Sequence, residues 1–232
     1  MANAQRQKRP EQKRPEPNRR TKAPARKPAR LRKVAPEVRR QAILEAALFV
    51  FAERGFAAAR LDDVAARAGV AKGTLYLYFQ SKEALFEALI RDAVSPLLAQ
   101  VGKVAAAPDL PPTKALETFF ALFKSDVLGT DRKLLLRLII SEGARFPALA
   151  EIYYREVVSR GLGLMRGLAQ RAVKDGSFAT SAPARYPQLI VAPLLVALIW
   201  DALFAKIDPL DVDGFLRAHL DVLTGNGRKG SA

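Results

Sequence analysis

The chain of 232 residues is 50% hydrophobic, carries a formal net charge of +15 and contains no cysteine. Enough apolar surface is present to bury a full core, while disulfides, thiolate metal sites and cysteine nucleophiles are excluded, as fits a reducing cytosol. The charge is concentrated at one end: residues 1–35 hold 13 of the 38 Lys and Arg against two acidic residues, so the rest of the chain is a nearly neutral globule.

Residues 1–35 are Lys, Arg, Pro, Gln and Ala with almost nothing large and apolar, the composition of a disordered basic tail. The tail has no apolar central run followed by a small-residue cleavage pattern, so it is not read as a secretory signal. A first helix is expected from Pro36, with Glu37 at the positive end of its dipole. Ile43, Ala46, Ala47, Val50 and Phe51 follow at helical spacing as one apolar stripe, and Gly55 ends it. A short second helix spans about Leu61 to Ala68 and a third about Lys72 to Phe79. Ser81 then caps a long fourth helix whose apolar positions are Leu85, Phe86, Leu89 and Ile90.

The stretch from Leu61 to Phe79 reads as a helix-turn-helix. Two short helices cross steeply only where the facing residue is small, and Ala65 is; the reversal between them wants a residue that accepts positive φ, and Gly69 stands there. Val64, Ala68, Val70, Leu75 and Phe79 lock the angle. Lys72, Thr74, Tyr76 and Tyr78 are left for the outward face of the third helix, with Gly73 allowing close approach of its backbone to DNA. Thr reads a base edge or a thymine methyl, whereas Lys and Tyr hold phosphates. Lys82, beside the start of the fourth helix, adds charge where the dipole already favours an anion.

Gly55-Phe56, Val64-Ala65, Ala68-Gly69-Val70, Lys72-Gly73-Thr74-Leu75-Tyr76, Tyr78-Phe79 and Ser81-Lys82-Glu83-Ala84-Leu85 together resemble the signature of the tetracycline-repressor (TetR/AcrR) family over residues 36–90. The resemblance implies an all-α homodimer, a palindromic operator read by the third helix of each subunit, and a ligand cavity in a C-terminal bundle. It also implies that Lys72, Gly73, Thr74, Tyr76, Tyr78 and Lys82 face DNA. One departure is Ala59-Arg60, where the family opens the second helix with Thr or Ser. The cap, worth about 1 kcal/mol in typical hosts, and its phosphate-binding hydroxyl are missing, and Arg60 is expected to supply a charged phosphate contact instead.

Beyond the Pro111-Pro112 pair, breaks near Gly129-Thr130, Pro147, Asp175-Gly176, Pro183 and Pro209 divide an apolar sequence into about five further helices, with no strand-like alternation. The division expected is a basic tail (1–35), a helix-turn-helix head (36–82), a helical ligand-binding and dimerisation body (83–225) and a disordered end (226–232). Phe119, Phe120 and Phe123 recur at helical spacing, as core packing or as pocket wall. Arg137, Glu142 and Arg145 interrupt the apolar stretch Leu134–Phe146, either meeting a polar group of a ligand or pairing with one another. Phe119, Phe123, Arg137 and Glu142 are the pocket candidates. The stretch Leu134–Glu142 with Arg145-Phe146-Pro147 is also similar to C-terminal regions in part of the family.

Segments 186–207 and 211–224 are apolar enough to need cover on more than one side. Trp200, Leu203, Phe204 and Ile207 follow i, i+3, i+4, i+7, and pairing with a second copy would make a four-helix dimer interface. The longest apolar run, Leu189 to Trp200, is interrupted by Pro193 and falls short of the roughly 20 residues that span a bilayer. A soluble, cytoplasmic protein with no membrane partner is expected. His219 is the lone histidine and reads as a surface or interface residue; without a second His or any Cys, neither a hydrolase triad nor most zinc sites can be assembled. No catalytic residue, metal or cofactor is called, and the chain is not read as an enzyme. The sequence points to a regulator, most naturally a repressor, released from operator DNA by a small apolar effector. Arg30, Arg32 and Lys33, nearest the fold, are expected to track the minor groove adjacent to the bound head. The competing reading is a non-specific architectural DNA-binding protein dominated by its tail, with no effector.

Overall fold

The computed structural model describes residues 35–226; the expectations made for residues 1–34 and 227–232, including Arg30, Arg32 and Lys33, lie outside the described residues. Eleven α-helices and no strand occur among the described residues. Helix α1 (Pro36–Ala58) buries the whole expected stripe, Ile43, Ala46, Ala47, Val50 and Phe51. Gly55 breaks it by taking φ 71° and ψ 167°, a left-handed conformation that a side chain would strain, and a last turn carries on to Ala58. Helices α2 (Leu61–Arg67) and α3 (Lys72–Tyr78) are joined through Gly69 at φ 67°. Ser81 caps α4 (Lys82–Ala106) by accepting a 3.0 Å hydrogen bond from the Ala84 amide.

The body comprises α5 (Pro112–Phe123), α6 (Lys133–Glu142), α7 (Pro147–Tyr153), α8 (Ser159–Lys174), a single-turn α9 (Ala182–Arg185), α10 (Gln188–Leu203) and α11 (Val212–Thr224). Its breaks fall at the Gly and Pro punctuation. Two π-helical turns, Lys124–Leu128 after α5 and Tyr154–Val158 joining α7 to α8, carry no local signal in the sequence. The second turn carries Glu156, which sits in a closed ring of ion pairs: Arg91 and Arg155 each bridge Glu87 and Glu156 at 2.6–3.0 Å. Hydrogen bonds from Arg91 and then Arg155 hold the Glu156 carboxyl below its usual range, which fastens α4 to the body.

Two apolar cores result. The first lies under α1–α4 and takes in Leu135 and Leu138 of α6 and Leu149 and Ile152 of α7. The second joins α5, α8, α10 and α11 around Leu116, Met165, Leu168, Ile190 and Leu220. Helix α4 serves both: Leu85, Phe86, Leu89 and Ile90 belong to the first core and Val101 to the second.

The expected helical stripe over Trp200, Leu203, Phe204 and Ile207 is corrected by the structure. Helix α10 ends at Leu203, and residues 204–207 turn away. Pro209 disfavours helix at Asp208, and the Trp200 indole N–H donates to the Asp208 carbonyl, drawing the chain back over the helix end. The Trp200 ring packs edge-on against Phe204 with centroids 5.1 Å apart.

Candidate nucleic-acid interface

Helix α3 is held by one face. Leu75 is completely buried, Phe79 closes the end, and the half-buried Tyr78 packs on the same core. At about 100° per residue, Gly73 and Leu77 each lie about 160° around the helix from Leu75, so these two form its outermost line. Leu77 is 86% exposed, and a Cβ built on Gly73 would meet no atom within 4 Å. Lys72 and Tyr76 flank that line in solvent, and Thr74 stands half-buried beside it.

Ion pairs brace the head around α3. Lys72 reaches the Asp62 carboxylate of α2 at 2.9 Å and lies 6.0 Å from the centre of the Tyr76 ring. The hydrogen bond to Asp62, with its charge, raises the Lys72 pKa above the ordinary lysine value, so the side chain stays cationic. Arg54 pairs with Asp63 and Arg67 with Glu53, tying α1 to α2. Arg60 opens α2 as its N-cap residue with no side-chain cap, in line with the missing Thr or Ser. Its own side chain is exposed and forms no ion pair among the described residues, so it is available to an outside anion.

Two of the sequence-selected residues have other engagements. Tyr78 turns inward and its hydroxyl donates to the Pro36 carbonyl at 3.3 Å, so α3 holds the start of α1 at the point where the basic segment joins the fold. Lys82 donates to the carbonyls of Phe56, Ala57 and Ala59 and lies 4.5 Å from the centre of the Phe56 ring. Its three N–H groups thus satisfy the orphan carbonyls at the end of α1, which ties α4 to α1 and leaves no donor pointing outward. Leu77 was not singled out from the sequence, where its side chain carries no polar group to mark it; its angle from Leu75 was the available signal.

The four pocket candidates are not brought together. Phe119 and Phe123 pack half-buried against the second core. Arg137 pairs with Asp201 of α10 at 2.8 Å, where Lys133 joins it at 3.1 Å. Glu142 reaches the other way, to the α1 break: a Cβ on Gly55 would lie 3.0 Å from its Oε1, and its Oε2 is buried without a hydrogen-bond partner. Arg145 lies over the Phe146 ring at 5.5 Å. Pairing of Arg137, Glu142 and Arg145 with one another is therefore overturned, because the ends of α6 face different neighbours. A groove between α5 and α11 is lined instead by Glu117, Phe120, Asp213, Leu216, Arg217 and Leu220. His219 is half-buried near Phe120, its pKa lowered by burial against an opposing hydrogen bond with the Leu189 backbone.

Of the interface candidates, Leu203 and Ile207 are 63% and 81% exposed, while Trp200 is half-buried in the turn it locks. The exposed apolar line extends toward the start of α10, through Ile199, Val196, Leu195 and Leu189, with Val222 on α11.

Residues 43–89 match the profile of bacterial regulatory proteins of the tetR family, and residues 114–214 match the C-terminal domain of AefR-like transcriptional repressors. The chain is 30% identical over 149 residues, covering 60% of itself and 68% of its relative, to the transcriptional repressor KstR2 of Rhodococcus jostii. It is 39% identical over 88 residues to the transcriptional regulator RutR of Escherichia coli K12, covering 38% of this chain and 41% of that one. Among solved structures, the fold is similar to that of FadR from Bacillus subtilis in complex with stearoyl-CoA, at a TM-score of 0.65 and 20% identity over 79% of this chain and 97% of that one. A transcriptional regulator from Pseudomonas aeruginosa PAO1 gives 0.66 at 17% identity over 88% and 98% of the two chains.

Proposed function

The chain belongs to the tetR family of bacterial regulatory proteins, and from that premise we propose that it is a dimeric repressor that reads a palindromic operator with α3 of each protomer and leaves it when a small apolar molecule enters the body. The observation that carries the reading is the placement of α3, anchored by Leu75 and Phe79 and presenting Lys72, Gly73, Thr74, Tyr76 and Leu77 outward. Lys72 and Arg60 supply phosphate contacts on either side of that face, while Tyr78 and Lys82 hold the head in shape.

The second protomer covers the apolar line of α10. Leu189, Val196, Ile199 and Leu203 are all exposed in a single chain, a contiguous face that soluble monomers avoid, and a two-fold pairing along it matches the symmetry of a palindrome. No helix among the described residues is long and apolar enough to cross a membrane.

Coupling runs through α4 and α6. Helix α4 belongs to both cores, and Glu142 at the end of α6 lies against Gly55 of α1. A ligand that spreads the second core moves both helices and changes the separation of the two α3 helices, which must stay near one groove repeat, about 34–36 Å. Binding energy that differs between the two arrangements is what shifts the population. The acyl chain of the stearoyl-CoA in the FadR complex is apolar, as the proposed effector is.

Selection of duplexes from a random-sequence DNA pool by the full chain tests the reading. A palindrome with half-sites about one helical turn apart, preferred over bulk DNA by about a thousandfold or more, is the expected result. Enrichment of no sequence at all would refute it in favour of an architectural role for the basic segment.

A further inference from the structure

A leucine exposed on its own is common on protein surfaces. Leu77 differs in where it stands. It is the most exposed of the large hydrophobic side chains among the described residues, and it lies on the line of α3 directly opposite the anchoring Leu75. The other member of that line, one turn earlier, is the bare backbone of Gly73. A helix seated in a major groove on this side brings its outermost line deepest, and here that line offers no hydrogen-bonding side chain. The polar groups Lys72, Thr74 and Tyr76 sit to its flanks, with Lys72 already turned toward Asp62.

The major groove shows one apolar group, the C5-methyl of thymine, and an aliphatic side chain is its natural complement. We infer that Leu77 is a specificity-determining residue that reads a thymine methyl group in each operator half-site. The inference rests on the DNA-binding reading proposed above and adds what that reading leaves open: the chemical feature recognised at the deepest point. Gly73 contributes by omission, since a side chain there would stand in the same line and hold Leu77 away from the base.

Thymine-to-uracil replacement removes that methyl and nothing else, so it tests the contact directly. A duplex enriched from a random-sequence pool by the full chain is remade with each thymine changed to uracil in turn, and affinities are measured by fluorescence anisotropy. Wild type is expected to lose about fourfold per half-site at one symmetric thymine position, the effect of removing one methyl group from an apolar contact. Leu77→Ala is expected to bind the thymine and uracil duplexes equally, while keeping the wild-type melting temperature because the side chain buries little.

Retention of the full thymine preference by Leu77→Ala would assign the methyl to another residue and overturn the inference. Indifference of wild type to every replacement would overturn it too, and would fit Leu77 docking on another protein. Failure of the pool to enrich any sequence would instead remove the DNA-binding reading, and this contact with it. An enriched operator without a Leu77-dependent thymine leaves that reading standing and removes the inference alone.

Discussion

The two cores differ in construction. Beneath α1–α4 lies a cluster of rings, Phe51, Phe56, Phe86 and Phe146, whose centroids are 5.4–6.1 Å apart and mostly edge to face, and its outer wall is polar and braced by ion pairs. The core of α5, α8, α10 and α11 is chiefly aliphatic, and its outer helix α10 carries apolar side chains on the solvent side as well. The first core is closed and serves to fix the angle of α3. The second continues into an uncovered apolar face on α10, the face along which a second protomer is proposed above to pair.

Substitutions in the two cores should behave differently. Phe86→Ala, at a fully buried site in contact with two other rings, should cost about 3–5 kcal/mol in denaturant unfolding; a cost under about 1 kcal/mol would mean that the head is not held by its rings. Val196→Glu with Leu203→Glu should leave helicity intact and shift the protein to a monomer in sedimentation velocity, weakening association by about a hundredfold or more through unpaired charge in the interface. An unchanged mass would show that α10 is not the covered face.

Gly55→Ala probes the contact of α1 with the end of α6. The left-handed φ of 71° and the Glu142 oxygen 3.0 Å from the new methyl should together cost about 1–2 kcal/mol in thermal unfolding. Adding Glu142→Ala should recover the steric part and leave the backbone part; no recovery would place α6 out of contact with α1 in solution. The smallest effect belongs to His219. Burial lowers its folded pKa below the ordinary 6.5, so the folded state binds its proton less readily than the unfolded chain. The stabilisation is complete above about pH 6.5 and is lost as the pH falls from there toward the folded value. Melting temperature should therefore fall modestly between pH 7 and pH 5 in wild type and less in His219→Gln. Carboxylates held low by partners, such as Glu156, act only further down, below their ordinary pKa near 4.5.

The head was legible because its determinants are local. Ala65, Gly69 and the spacing of Val64, Leu75 and Phe79 lie within one short stretch, and Ser81 announced α4. What escaped depends on distance along the chain. The pairing of Arg137 with Asp201 spans 64 residues, Glu142 meets Gly55 through a contact no local pattern marks, and Lys82 finds its carbonyls 23–26 residues earlier, at the end of α1. Periodicity also overran α10, since Phe204 and Ile207 keep helical spacing although Pro209 and the Trp200 hydrogen bond have already turned the chain. Leu77 went unremarked and Tyr78 was set on the outward face for a different reason, polarity being a weaker guide than angular position to which way a residue of a short helix faces.

Whether two α3 faces meet one side of a duplex is decided by spacing. Five base pairs inserted between the half-sites of the selected operator turn one half-site to the opposite face of the DNA. Affinity is expected to fall to that of a single half-site, whereas ten inserted base pairs, which restore the face at twice the distance, recover it little because the dimer fixes the separation. Equal affinity for the native and five-base-pair duplexes would contradict binding of both α3 faces to one side.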